Sequence, residues 1–328
     1  MLSETSKPHL APIRSRFLSS LWEDAGMLIV YLAMFVVVSI TVPYFLTVQN
    51  LIGLSLSVSM VGMLACTMLF CLAAGDFDLS IGSVVAFGGI VNAVMMVVMP
   101  GHIALPVLLS LAVCFLIGLF NGFVIARIGI NALITTLATM QIVRGLGFIM
   151  SNGVAVGIAN DEFYKVGNGT LLGVPFPIWV TLVCFLVFGF LLNGTVYGRN
   201  TLAIGGNKEA ARLSGIDVDW TKMVIFSLQG LMAGAAGVIL SSRITSGQPN
   251  ASQGFELDVI SACVLGGVSL SGGVGTIVGT LVGVLIMGTV QNVLNLLNVP
   301  TFYQYVVRGT VLLLAVLFDQ LKQRRAAS

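Results

Sequence analysis

Charge is what this sequence has least of. Only 9% of its 328 residues are Asp, Glu, Lys or Arg, against about 25% in soluble domains. A soluble fold of this size could not coat its surface with so few charges, so lipid must solvate much of the outside. Histidine is nearly absent, with His9 and His102 alone. Neither has a neighbour that suggests catalysis, and no nucleophile and base pairing can be read anywhere, which argues against an enzyme. No basic patch is interleaved with aromatics, which argues against nucleic acid. The five cysteines, Cys66, Cys71, Cys114, Cys184 and Cys263, lie in or beside apolar runs. Their spacing fits neither a disulfide framework nor a metal site, and they read as apolar filler.

What the chain has in abundance is apolar length. Hydrophobic residues make up 57%, and the mean hydropathy is +1.03. The apolar runs are long and unbroken, as membrane helices require and β-barrel strands do not. Ten runs are read: 26–46, 51–74, 79–99, 103–126, 130–150, 174–192, 223–241, 257–270, 276–297 and 302–318. The expected fold is an all-α polytopic membrane protein of about ten helices. The run 257–270 is short and reads as a span or as a broken, re-entrant helix. The expected organisation is a tail over 1–25, a membrane domain over 26–318 with a loop at 194–222, and a tail over 319–328. The first run lacks a cleavage site of small residues and reads as an uncleaved helix.

Orientation follows from Lys and Arg. With an inner N-terminus and alternating helices, Lys7, Arg14, Arg16, Arg127, Arg199, Lys208, Arg212, Lys222, Lys322, Arg324 and Arg325 fall inside, and only Lys165 and Arg243 fall outside. Both termini are therefore expected in the cytoplasm. Glycine is plentiful, at 38 residues. Gly118 with Gly122, Gly230 with Gly234, and Gly275, Gly279 and Gly283 recur every fourth residue, a spacing that suits close helix packing. A faint inverted repeat pairs Val143-Arg144-Gly145 with Val307-Arg308-Gly309, and Asn121–Ile128 with Asn292–Val299. Such repeats recur in transporters.

The strongest local signal lies in the inner loop, Gly205-Gly206-Asn207-Lys208-Glu209-Ala210-Ala211-Arg212-Leu213-Ser214-Gly215. Asn207 can cap a helix, Lys208 to Leu213 favour one, and Gly215 can close it. This reads as a short solvated helix, a plain connector or a handle for a soluble partner. Gly267 to Gly273 lacks the lysine of a phosphate loop and reads as a turn. Asp76 and Asp78 flank Phe77 between two apolar runs. They read first as a helix cap at a membrane-edge turn, and second as a gate. Glu256 and Asp258 read the same way at the outer edge. Arg144 and Arg308 are the most embedded cations and must pair, snorkel or line water. Asn92, Asn121, Gln141, Gln291, Asn292 and Asn295 add donors and acceptors of the kind a neutral sugar needs, or serve as interhelical ties.

Glu209-Ala210-Ala211 followed by Gly215 resembles the coupling loop of ABC importer permeases. Gly75 to Gly82, Gln248-Pro249, Gly254 to Asp258 and Leu265 to Gly273 resemble the ribose/arabinose/galactose permease family of such importers, over nearly the whole membrane region. The resemblance implies that Asn207, Glu209, Ala210, Ala211 and Gly215 dock an ABC ATPase subunit. It also implies a second permease copy, a periplasmic sugar-binding protein, and a monosaccharide cargo, with arabinose first in line. ATP and Mg would be used by the ATPase, with no cofactor or metal on this chain. Asp76, Asp78, Asn92, Asn121, Gln141, Arg144, Asn292, Asn295 and Arg308 are the candidates for pathway or gate. Two rivals stand beside this reading. An ion-coupled sugar transporter would want acidic residues buried mid-helix, whereas the carboxylates here fall near the predicted helix ends. An importer of the same kind could instead carry another pentose, a hexose or an amino acid.

Overall fold

The computed structural model describes the backbone of residues 13–327 and the side chains of residues 26–321. The expected tails lie partly outside the described residues, as do the side chains of Lys7, Arg14, Arg16, Lys322, Arg324 and Arg325. The chain forms helices α1 (Ile13–Thr41), α2 (Val48–Ala73), α3 (Ile81–Val98), α4 (Ala104–Phe123), α5 (Ala132–Met150), α6 (Asp161–Asn168) and α7 (Phe176–Gly194). These are followed by α8 (Val196–Gly206), α9 (Lys208–Leu213), α10 (Val218–Arg243), α11 (Phe255–Leu265), α12 (Ile277–Leu296) and α13 (Thr301–Ala327).

Among the described residues, eight of these helices are long and apolar enough to cross a membrane: α2, α3, α4, α5, α7, α10, α12 and α13. The described apolar part of α1 covers Gly26–Thr41. The protein is thus an all-α polytopic membrane protein. Several helices start where the sequence supplies a side chain to satisfy a free N–H. Thr47, Asn131, Thr195, Asn207, Asp217 and Thr276 each accept such a bond. A π-helical turn, Val124–Ile128, ends the α4 segment, and Gly129 stops it at φ 85°.

The end that carries α8 and α9 is here the inner end, following the Lys and Arg bias. At the other end, two short strands pair the outer loops, with Val156 opposite Gly247 and Gly157 opposite Ser246. The Ser242 hydroxyl donates to the Phe163 carbonyl and accepts from the Gly167 N–H, which fastens α6 to α10.

Glycine sets the packing, as its spacing suggested. A side chain at Gly118 would strike the Phe226 carbonyl, one at Gly230 the Cys114 carbonyl, and one at Gly283 the Ala262 carbonyl. These contacts press α4 against α10 and α11 against α12.

The run 257–270 is a short helix of 11 residues followed by an irregular stretch. Gly267, Gly272 and Gly273 all have positive φ there, which ends the helix although the composition stays apolar. A further correction concerns where α11 and α3 begin. Gly82, on the first turn of α3, lies against the Ser252 carbonyl and the Glu256 carboxylate. The first turns of α3 and α11 therefore meet inside the bundle. Asp76, Asp78 and Asp258 are all buried within the protein. Irregular backbone inside a membrane bundle survives only where protein surrounds it.

Helices α3 and α11 have matching surroundings. Helices α4 and α5 pack on α3, as α12 and α13 pack on α11. The sequence Phe77-Asp78-Leu79-Ser80 entering α3 parallels Phe255-Glu256-Leu257-Asp258 opening α11.

Candidate translocation pathway and coupling site

The inner loop is more structured than a single helix. Thr195 caps α8, Asn207 caps α9 by accepting from the Ala210 N–H at 2.9 Å, and Asp217 caps α10 by accepting from the Trp220 N–H at 2.9 Å. Gly215, at φ 85°, closes α9. The Ile216 N–H then bonds back to the Ala211 carbonyl. Ala211 is buried with Ile204 and Val218. It belongs to the loop's own small core, while Glu209 and Ala210 face out. Sequence reasoning missed two exposed apolar side chains on this surface, Leu213 at 89% and Trp220 at 60%. The signal was present, since both sit in the charged stretch where an apolar residue has no lipid to face.

This loop is seated on the connections that follow α2 and α11. Gly205 packs against the Ala73 carbonyl and the Gly273 N–H, and Gly272 packs against Gly205. The Gly273 N–H donates to the Ala73 carbonyl at 2.9 Å. Beside it, Lys222 Nζ lies 2.7 Å from Asp76 Oδ2.

Above that pair, Asp78 Oδ1 accepts from the Ser80 N–H at 2.8 Å and from its hydroxyl at 2.6 Å. Ser80 itself makes no side-chain cap bond to α3. The Ser80 oxygen accepts from Asn121 Nδ2 at 3.1 Å, and Asn121 Oδ1 accepts from the Thr139 hydroxyl at 2.6 Å. One polar chain thus ties the start of α3 to α4 and α5. Arg144, on α5, donates from Nη1 to the Pro249 and Ala251 carbonyls, both at 2.8 Å. It thereby holds the segment that descends to α11. Arg308, on α13, places Nη1 3.2 Å from Asp258 Oδ2.

The remaining candidates are ties or stand apart. Asn92 Nδ2 donates to the Ser241 hydroxyl, joining α3 to α10. Asn292 and Asn50 exchange bonds of 2.8 and 3.1 Å between α12 and α2. Asn295 accepts from Gln304 at 3.0 Å. Gln141 is exposed on α5. Among the described residues, no three His, Cys, Asp or Glu side chains are grouped to hold a metal ion.

A bundle of apolar helices, with a short helix α11 meeting the start of α3 and both backed by buried polar side chains, is the build of a membrane transport protein. The family described as branched-chain amino acid transport system / permease component matches residues 50–316, and the chain belongs to that family. It is 55% identical to the L-arabinose transport system permease protein AraH of Escherichia coli strain K12, over 96% of this chain and 95% of that one. It is 53% identical to the L-arabinose ABC transporter permease protein AraH of Azospirillum brasilense, over 97% and 94%. The ribose import permease protein RbsC of Bacillus subtilis strain 168 is 43% identical, over 88% and 89%. No solved structure matches.

Proposed function

We propose that this chain is the membrane-spanning permease of a bacterial importer that carries L-arabinose across the inner membrane. The observation that carries the reading is the 55% identity to an arabinose permease along nearly the full length of both chains. Ribose is the second cargo, on the strength of ribose permeases that are 40–43% identical.

In this reading, a periplasmic binding protein delivers the sugar at the outer end. An ATPase subunit docks on α9, using Glu209, Ala210 and Leu213, and Asn207 and Gly215 hold that helix in shape. The ATPase binds ATP and Mg and performs the hydrolysis; this chain binds neither. A second copy of the permease completes the passage within the lipid bilayer. The contact of Gly205 with Ala73 and Gly273 supplies a rigid route from the docked loop to the connections that enter α3 and leave α11. Movement of α8 and α9 would then shift the approach to α3 and the exit from α11 together, opening the passage to one side at a time.

The test is reconstitution of the permease with its ATPase and binding protein in proteoliposomes, offered arabinose, ribose, xylose and galactose with ATP. Uptake of arabinose that needs ATP and survives collapse of ion gradients is expected. Accumulation of sugar against a gradient by the permease alone would exclude the reading.

A further inference from the structure

The Asp258–Arg308 pair is incomplete as a structural tie. Gln291, on α12, stands beside the same carboxylate. Yet Asp258 Oδ1, Gln291 Nε2 and Arg308 Nε are all buried atoms without a hydrogen-bond partner. Three helices therefore converge on one point, and each brings an unused acceptor or donor. Unused groups of this kind are costly to bury unless something else engages them. The carboxylate is only 4% exposed, but the Arg308 side chain is 27% exposed and opens the cluster to one side. Tyr305 stands at that opening, its ring centre 5.9 Å from the guanidinium carbon, and it is 57% exposed.

Arg308 sits roughly two turns into α13, so the cluster lies about 10 Å inward from the outer end of that helix. An acyl chain has nothing to offer a carboxylate, an amide and a guanidinium at that depth. A polyhydroxylated ring does. A carboxylate oxygen accepts from a hydroxyl, an amide or guanidinium N–H donates to one, and an aromatic ring covers the C–H face of a sugar.

We propose that Asp258, Gln291 and Arg308, with Tyr305 at the mouth, form a station on the outer half of the passage that reads the hydroxyls of the sugar. The proposal rests on the importer reading and adds residues that recognise cargo within the permease itself. Asp258 and Arg308 also hold α11 to α13, so their removal would mix folding with recognition. Gln291 and Tyr305 do not share that burden.

The test uses the full importer in proteoliposomes, with the binding protein saturated throughout. Maximal uptake of arabinose is compared with that of monodeoxy arabinoses, each lacking one hydroxyl, for the wild type and for Gln291→Ala and Tyr305→Leu. For the wild type, removing the hydroxyl that is read should slow uptake about ten-fold, the scale of one hydrogen bond. Gln291→Ala should slow arabinose to a similar extent but lose the difference between arabinose and that analogue. Tyr305→Leu should slow all of them alike. Variants that keep the wild-type rate and the wild-type ratio would overturn the station while leaving the importer intact. A wild type that takes up no sugar at all would instead overturn the importer reading. Thermal midpoints within about 2 °C of wild type show that the variants fold.

Discussion

Lys222 and Asp76 form a buried ion pair at the inner end, 2.7 Å apart, with side chains 9% and 11% exposed. The lysine stands one turn into α10 and the aspartate in the approach to α3, so the pair fixes α10 to the connection between α2 and α3. Removing one partner leaves an uncompensated buried charge, which costs about 3–5 kcal/mol. Asp76→Ala and Lys222→Ala should each lower the thermal midpoint of the purified permease in detergent. The double variant should recover part of the loss. If the two effects add in full, the residues are not coupled.

The outward face of α9 is expected to carry ATPase binding. Ala210→Trp and Leu213→Asp should leave normal amounts of permease in the membrane but abolish ATPase co-purification and sugar uptake. Ala211→Trp should act differently, because Ala211 is buried against Ile204 and Val218; it should lower the thermal midpoint even without the ATPase. Wild-type co-purification by Leu213→Asp would make the loop a connector.

Gly215 has φ 85°, a region that β-branched residues resist. Gly215→Val should weaken ATPase association at least ten-fold, and Gly215→Asn should be milder. Equal behaviour of the two variants would show that the backbone angle is not the constraint.

Orientation can be read with an impermeant thiol reagent in intact cells after the outer membrane is permeabilised. All five native cysteines are buried and should react little. Cysteines placed at Glu162 and Asn250 should label from outside, and one at Glu209 only after the inner membrane is opened. Labelling of Glu209→Cys in sealed cells would reverse the topology.

Much of this was legible in the sequence, for identifiable reasons. Long apolar runs located the membrane helices, and four-residue glycine spacing anticipated the contacts at Gly118, Gly230 and Gly283. Cap chemistry located α9, since Asn207 and Gly215 mark its ends without help from the fold. Helices α8 and α6 were not foreseen, although Thr195 and Asn160 cap them in the same way. Both lie in loops where an apolar search finds nothing. The depth of α11 was invisible for the opposite reason. The stretch 257–270 stays apolar beyond Leu265, and the positive φ of Gly267 breaks it, with Gly272 and Gly273 turning the chain just beyond. The burial of Asp76, Asp78 and Asp258 could not be read from hydropathy, which reports distance along the chain. It does not report where a broken helix begins in space. The partners of Arg144 and Arg308 depend on that same break, and sequence spacing carries no trace of them.

The π-helical turn Val124–Ile128 has a consequence for how this chain tolerates change in length. Such a turn holds one residue more than an α-helix would over the same rise. Just before it, Asn121 must meet both Ser80 and Thr139; just after it, Gly129 reverses the chain. Deleting one residue within 124–128 would let the turn relax to ordinary α-helix, with Asn121 and Gly129 still in place. The same deletion in the middle of α4 would rotate everything on one side of it by about 100°, swinging Asn121 away from Ser80 or Gly118 away from α10. Variation in length along this helix is therefore permitted at one address, and sequences that are one residue shorter there should still assemble the same interior.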